Sequence, residues 1–107
     1  MAVHHPGRGL RTPWGEAVLS PAGHPLGRVE DLLVDARSGN PQWVVVRLRG
    51  LLPRHRALPL ALLRRAPGGF VVPVSRRSLQ DSPRVVSGVA LTARQELALY
   101  VYWAAEY

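Results

Sequence analysis

The chain has 107 residues, of which 47% are hydrophobic, and carries a formal net charge of +7 at pH 7, so it fits one domain with an adequate core. The sequence contains no cysteine, which excludes disulfides, thiolate zinc sites and cysteine nucleophiles and fits a reducing cytoplasm. We see no secretory leader, and the longest apolar run (residues 97–105) is far shorter than the roughly 20 residues that span a bilayer. We therefore expect a cytoplasmic protein without a transmembrane segment.

The positive charge is concentrated in the middle of the chain. All 14 cationic side chains are arginine, nine of them lie between Asp35 and Asp81, and no acidic residue lies between those two positions. The simplest interpretation of the arginine content is the codon usage of a GC-rich genome, whose codons favour arginine. The uneven distribution is the more informative feature, because it predicts a basic sector on the folded domain.

The N-terminal residues predict a flexible arm followed by the start of a folded domain. Residues 1–13 contain two histidines, two prolines and two glycines and have little periodicity, which is typical of a mobile segment. Ordered structure is expected from Trp14, with a short first strand over residues 16–19. Residues 20–25 are rich in turn formers and predict a loop. We expect the domain that begins here to extend over residues 14–90.

Residues 26–50 predict a β-hairpin with a bulge and read LGRVEDLLVDARSGNPQWVVVRLRG. The apolar alternation of the first strand changes phase after Val29, and one extra residue at Glu30-Asp31 restores it, which is the signature of a β-bulge. Residues 38–41 supply the turn, and Asp35 is expected to initiate it. In the second strand, one face carries Val44, Val46 and Leu48, and the other carries Trp43, Val45, Arg47 and Arg49.

The second half of the chain predicts short strands followed by two helices. Strands are expected at residues 57–60, 62–65 and 70–74, and several short strands at this spacing favour a barrel or sandwich. Ser75 is a candidate cap for a short helix that ends before Pro83. Thr92 and Gln95 form a capping box that opens a helix running towards Glu106. Residues 91–107 are therefore predicted to be a helix that packs on the barrel or lies in an interface.

The order of these motifs resembles the PRC-barrel family, the module of the photosynthetic reaction-centre H subunit and of the ribosome maturation factor RimM. The matching motifs are GHPLGRVEDLLVD (23–35), SGNPQWVVV (38–46), LPL (58–60), VPVS (72–75) and DSP (81–83), and LT (91–92) leading into Tyr100 is similar to the tail of stand-alone bacterial members. The resemblance covers about residues 14–103. It implies a mainly β fold, a small six-stranded barrel with a short helix and a C-terminal α-helix, generally non-enzymatic and used to bind proteins or RNA.

The residues do not predict an enzyme, a cofactor or a metal site. Glu30 and Asp31 are adjacent on a strand and point to opposite faces, so they do not form a catalytic pair. The four histidines lie in the arm or in predicted loops, without thiolates. Ser75, Ser78 and Ser82 have Asp81 nearby but no histidine close in sequence, and the glycine motif of phosphate loops is absent. The expected function is therefore binding.

The C-terminal helix predicts a protein interface. It is apolar almost all round, whereas a surface helix of a small domain usually has one polar face. Tyrosine and tryptophan are favoured interface anchors. The leading hypothesis is an adaptor that binds a protein partner or forms a homodimer through this helix; the alternative is that the helix packs on the barrel with its aromatic edges exposed. The predicted interface residues are Leu99, Tyr100, Trp103 and Tyr107.

The arginine-rich strand predicts an alternative function, RNA or ribosome-associated binding. Arginine forks bind phosphates in a bidentate manner, and an exposed aromatic ring can stack on a base. The competing interpretation is a solvated face enriched by codon usage. A third hypothesis, a membrane-associated role in electron-transfer assembly, follows only from the resemblance to the H subunit. The predicted anion-binding residues are Trp43, Arg47, Arg49, Arg54 and Arg56.

Overall fold

The protein is mainly β, with a mixed sheet and a C-terminal helix. The computed structural model describes residues 15–106 and the backbone of residues 2–4. The strands are β1 (Ala2–His4), β2 (Ala17–Leu19), β3 (Pro25–Asp35), β4 (Pro41–Leu48), β5 (His55–Pro59), β6 (Arg64–Ala66) and β7 (Gly69–Val71). A 3-10 turn covers Leu60–Leu62, and the helices are α1 (Arg76–Asp81) and α2 (Ala93–Glu106).

The sheet has seven strands: six follow the order β5-β4-β3-β2-β7-β6, and β1 pairs with β3. Neighbours pair antiparallel except β2 and β7, which are parallel. The long β3 pairs with β4 on one side, and on the other with β2 near its start and with β1 near its end. Among the described residues, β5 and β6 end the sheet without pairing with each other, so the sheet is open.

The predicted hairpin is confirmed, including its bulge and its turn. The register between β3 and β4 shifts between Val29 and Asp31, where the sequence places one extra residue. Asp35 initiates the turn, because its Oδ1 accepts hydrogen bonds from the N–H groups of Arg37 at 2.7 Å and Ser38 at 3.2 Å. These two bonds lower the pKa of the Asp35 carboxyl, since they stabilise its ionised form.

Two glycines allow neighbouring strands to approach closely. A Cβ atom on Gly27 would collide with the carbonyl oxygen of Arg47 on β4. Likewise, a Cβ atom on Gly69 would collide with the Ala17 carbonyl of the parallel strand β2. Only glycine fits these positions without movement of the backbone. These two residues therefore allow β3 to pair with β4, and β7 with β2, at close range.

The core lies against β4, which is buried on both faces from Trp43 to Val46. One of these faces meets α2, whose Trp103 Nε1 donates to the Ala57 carbonyl on β5 at 2.9 Å. The capping predictions for both helices are confirmed. Ser75 Oγ accepts from the Ser78 N–H, and Thr92 and Gln95 exchange two hydrogen bonds at the start of α2.

Three predicted segments differ from the structure. Residues 62–65 were expected to form one strand, but a 3-10 turn ends at Leu62 and β6 begins only at Arg64. The strand predicted at 70–74 ends at Val71. In the predicted arm, the backbone of Ala2–His4 pairs with β3, and the rest of residues 1–13 lies outside the described residues.

Candidate binding surfaces

The arginine-rich strand lacks the exposed aromatic ring that the sequence predicted. Trp43 is only 1% exposed, and its ring packs against Tyr100 of α2 with centroids 5.1 Å apart. The prediction that Trp43 lies on an outer face was therefore wrong, because α2 covers this part of β4. Further along the same face, beyond the helix, Arg47 is exposed.

Arg56 is also buried rather than available to a ligand. Its Nε and Nη2 donate to the Gln80 carbonyl at the end of α1, at 3.3 and 3.1 Å, and Nη1 donates to the His55 carbonyl at 2.9 Å. Burial lowers the pKa of the Arg56 guanidinium, and the positive charges of Arg84 and Arg54 lower it further. The predicted role of Arg56 in anion binding is corrected: this cation joins β5 to the negative end of α1.

Three exposed arginines surround an open cleft at the other end of the hairpin. Arg28 on β3 lies directly opposite Arg47 on β4, a register at which like charges repel. Arg49 lines the same cleft, which has a volume of about 560 Å³. Arg28 donates to the Gly15 carbonyl at 2.8 Å, and none of the three forms an ion pair within residues 15–106. The cleft, bordered by Gly27 and Gly50, is the site most suited to an anion.

Two of the predicted interface residues belong to the core. Leu99 is fully buried, and Trp103 is buried with its indole bonded to β5. Tyr102, which is partly buried, donates to the Ser78 carbonyl at 2.6 Å and fixes α2 to α1. Leu99 and Trp103 therefore hold the helix on the sheet and are not anchors for a partner. Tyr107 lies outside the described residues.

The outward face of α2 is apolar. Leu97 and Val101 are each 63% exposed, and Tyr100 lies between them with half of its surface exposed. The phenol of Tyr100 donates to a Glu96 carboxylate oxygen at 3.5 Å. Partial burial raises the pKa of Tyr100, and the Glu96 charge raises it further, so the phenol stays neutral at physiological pH. We call Leu97, Tyr100 and Val101 the helix patch.

A groove adjoins the helix patch where α2 meets the ends of β4 and β5. Two buried polar atoms of groove residues, Trp43 Nε1 and Gln42 Oε1, have no hydrogen-bond partner among the described residues. One is a donor and the other an acceptor, and each such buried group costs about 1–3 kcal/mol when unpaired. The groove is lined by Pro41, Gln42, Trp43, Pro59, Leu60, Ala61 and Tyr100.

A contact between an acidic and a histidine side chain joins β3 and β5. His55 Nε2 and Glu30 Oε2 are in direct contact and partly buried, a contact that the sequence does not predict because 25 residues separate the two. Within residues 15–106, no three histidine, aspartate or glutamate side chains converge as metal ligands. Neither α1 nor α2 is long and apolar enough to cross a membrane.

Comparison with other proteins adds no identification. No model of a known protein family matches this chain, and no curated protein matches it.

Four of the residues predicted at the two surfaces are exposed, whereas others are buried or were not predicted. Arg47, Arg49, Arg54 and Tyr100 are exposed, as their predicted roles require. Arg28 was missed because its proximity to Arg47 depends on strand register. The stripe containing Leu97 and Val101 was visible at helical spacing, but the opposite stripe was equally apolar, so periodicity did not decide which one faces the core.

Proposed function

We propose that this protein is a non-catalytic adaptor of the PRC-barrel type, which binds a protein partner or a second copy of itself through the helix patch and the adjoining groove. The observation that carries this proposal is the continuous apolar surface formed by Leu97, Tyr100, Val101 and the groove. An exposed apolar face of this kind on a small domain is characteristic of an interaction surface.

The groove adds an apolar surface beside the helix patch, where Pro41, Pro59 and Leu60 lie next to Tyr100. Tyr100 adds a rigid amphipathic side chain of the type that dominates the energetics of interfaces. A protein segment therefore fits this surface better than a small apolar ligand does.

The assignment to the PRC-barrel type is supported by the confirmed hairpin, by its bulge and by the order of the strands and helices. The close approaches at Gly27 and Gly69 favour a strongly curved sheet, as a small barrel requires. The RNA alternative is weaker than the sequence suggested, because Trp43 and Arg56 are buried. The cysteine-free chain fits the cytoplasm, which is the compartment we propose.

The test compares the wild-type chain with Leu97→Ser/Tyr100→Ser/Val101→Ser. A matched control, Val86→Ser/Val89→Ser, removes exposed apolar side chains at a different place. Light scattering measures self-association, and affinity capture from nuclease-treated lysate of the native cell measures binding of other proteins. Circular dichroism confirms that each variant is folded.

The helix-patch variant is expected to lose self-association or a specific captured protein, while the control variant retains it. A change in self-association identifies a homodimer, and a change only in capture identifies a different protein. If the wild type is monomeric and captures the same proteins as the helix-patch variant, the proposal is wrong.

A further inference from the structure

The loop between β4 and β5 exposes two adjacent leucines at its tip. Leu51 is fully exposed and Leu52 is 74% exposed, the largest exposures among the prominent hydrophobic side chains of the described chain. The base of the loop is held in place, because the Leu48 N–H donates to the Arg54 carbonyl at 2.8 Å and the Arg49 N–H donates to the Leu26 carbonyl at 3.1 Å. The leucines are therefore presented by a fixed base and have no packing role in the domain.

The surroundings of this loop are strongly basic. Arg49 and Arg54 flank the leucines in sequence, and the cleft with Arg28 and Arg47 borders the loop at Gly50. Residues 36–80 contain no acidic side chain, and within residues 15–106 none of Arg28, Arg47, Arg49 and Arg54 forms an ion pair. The surface therefore combines an apolar tip with a cluster of phosphate-binding groups.

A lipid surface satisfies both features, whereas RNA satisfies only one. Guanidinium groups bind the phosphates of either partner, but a nucleic acid backbone offers no apolar phase to two solvated leucines. In the interfacial layer of a bilayer, leucine side chains leave water while neighbouring arginines remain at the level of the headgroups. Anionic lipids add attraction for each arginine near the surface.

We infer that the segment 49–54, together with Arg28 and Arg47, docks on an anionic phospholipid surface. Leu51 and Leu52 enter the interfacial layer, and the cleft arginines hold headgroup phosphates. This role goes beyond the proposed adaptor function, because it uses the opposite end of the hairpin from the groove. Binding of this kind localises the protein to the membrane surface.

The test is cosedimentation of the full chain with vesicles of phosphatidylcholine alone and of phosphatidylcholine mixed with phosphatidylserine. We expect binding only to the mixed vesicles. Leu51→Ser/Leu52→Ser is expected to weaken it about tenfold or more, and Arg28→Gln/Arg47→Gln about fivefold for each arginine removed. The matched controls Val86→Ser/Val89→Ser and Arg77→Gln/Arg94→Gln change exposed residues elsewhere and are expected to bind like the wild type.

Two further measurements separate this proposal from its competitors. Leu51→Trp places a fluorescent reporter at the tip, and brominated phosphatidylserine vesicles are expected to quench its emission, beyond any quenching of the wild-type chain, if the loop enters the bilayer. A single-stranded RNA oligonucleotide tests the nucleic acid alternative by fluorescence anisotropy.

Three results overturn the proposal: vesicle binding that is unaffected by the leucine substitutions, no additional quenching in the Leu51→Trp variant, or tight RNA binding without vesicle binding. The helix-patch variant is expected to bind vesicles normally, so failure here is distinguishable from failure of the adaptor function.

Discussion

The indole of Trp43 packs against the phenol of Tyr100, with ring centroids 5.1 Å apart and ring planes tilted by 60°. Trp43 belongs to the core of the sheet, whereas Tyr100 is half exposed on α2. The pair therefore connects the interior directly to the helix patch. We therefore expect a substitution of Trp43 to change the position of Tyr100, which lies on the surface where we propose that a partner binds.

The two buried tryptophans provide a matched comparison. Trp103→Phe removes the hydrogen bond to the Ala57 carbonyl, whereas Trp43→Phe removes an N–H without a partner in the described chain. We expect Trp103→Phe to destabilise the protein by about 1–2 kcal/mol more than Trp43→Phe does, because it leaves a buried carbonyl with one donor fewer. Urea denaturation measures the difference. Equal losses of stability in the two variants contradict this assignment of the indole groups.

Arg56 and Arg47 are expected to respond in opposite ways to the same substitution. Arg56→Gln is expected to lower the free energy of unfolding by about 2 kcal/mol, because it breaks the contacts with the Gln80 and His55 carbonyls. Arg47→Gln relieves repulsion with Arg28 and is expected to raise stability by a few tenths of a kcal/mol. Retention on heparin is expected to fall for Arg47→Gln and to change little for Arg56→Gln. A larger loss of retention for Arg56→Gln contradicts its structural role.

Gly27→Ala tests the close approach between β3 and β4. The added methyl group collides with the Arg47 carbonyl, so the backbone has to move, and we expect a loss of about 3 kcal/mol. The control is Gly88→Ala, where the φ angle is +81° but no atom lies within 4 Å of the added group. Backbone strain alone is expected to cost about 1 kcal/mol there. A loss for Gly27→Ala no greater than that of the control contradicts the predicted clash.

The lowered pKa of Asp35 predicts that the stability of the fold decreases at acidic pH. Its folded-state pKa lies below the usual value of 3.8, so the ionised carboxylate stabilises the fold at neutral pH. This contribution is lost as the pH falls through the folded-state pKa. Asp35→Asn is therefore expected to lower the urea midpoint at pH 7, and the difference from wild type is expected to shrink as the pH falls below 3.8 and through the folded-state pKa. A difference that stays constant over this range contradicts the charge-based account.

The helix caps and the turn were predictable from the sequence because the hydrogen-bonding residues lie within a few positions of each other. The Thr92–Gln95 capping box, the Ser75 cap and the Asp35 turn are all of this kind. The bulge was visible because the apolar phase changes at Glu30-Asp31, and the structure places the register shift there.

Burial was less predictable because it depends on which elements cover each other. Trp43 and Arg47 lie on the same face of β4, but α2 covers only Trp43. The two apolar stripes of α2 are equivalent in sequence, so the predicted interface combined the buried Leu99 and Trp103 with the exposed Tyr100. The exposure of Leu51 and Leu52 carries no periodic signal, since a loop tip lies outside any repeating pattern.

The parallel pairing of β2 with β7 has a consequence for how the chain folds during synthesis. Residues 17–19 emerge early, but their parallel partner at 69–71 emerges only after β3, β4 and β5. One edge of β2 therefore stays unpaired while most of the domain is being made, and such an edge can recruit strands from other chains. A nascent chain that stalls before Gly69 therefore keeps one edge of β2 unpaired, and we expect such a chain to aggregate more readily than the complete domain.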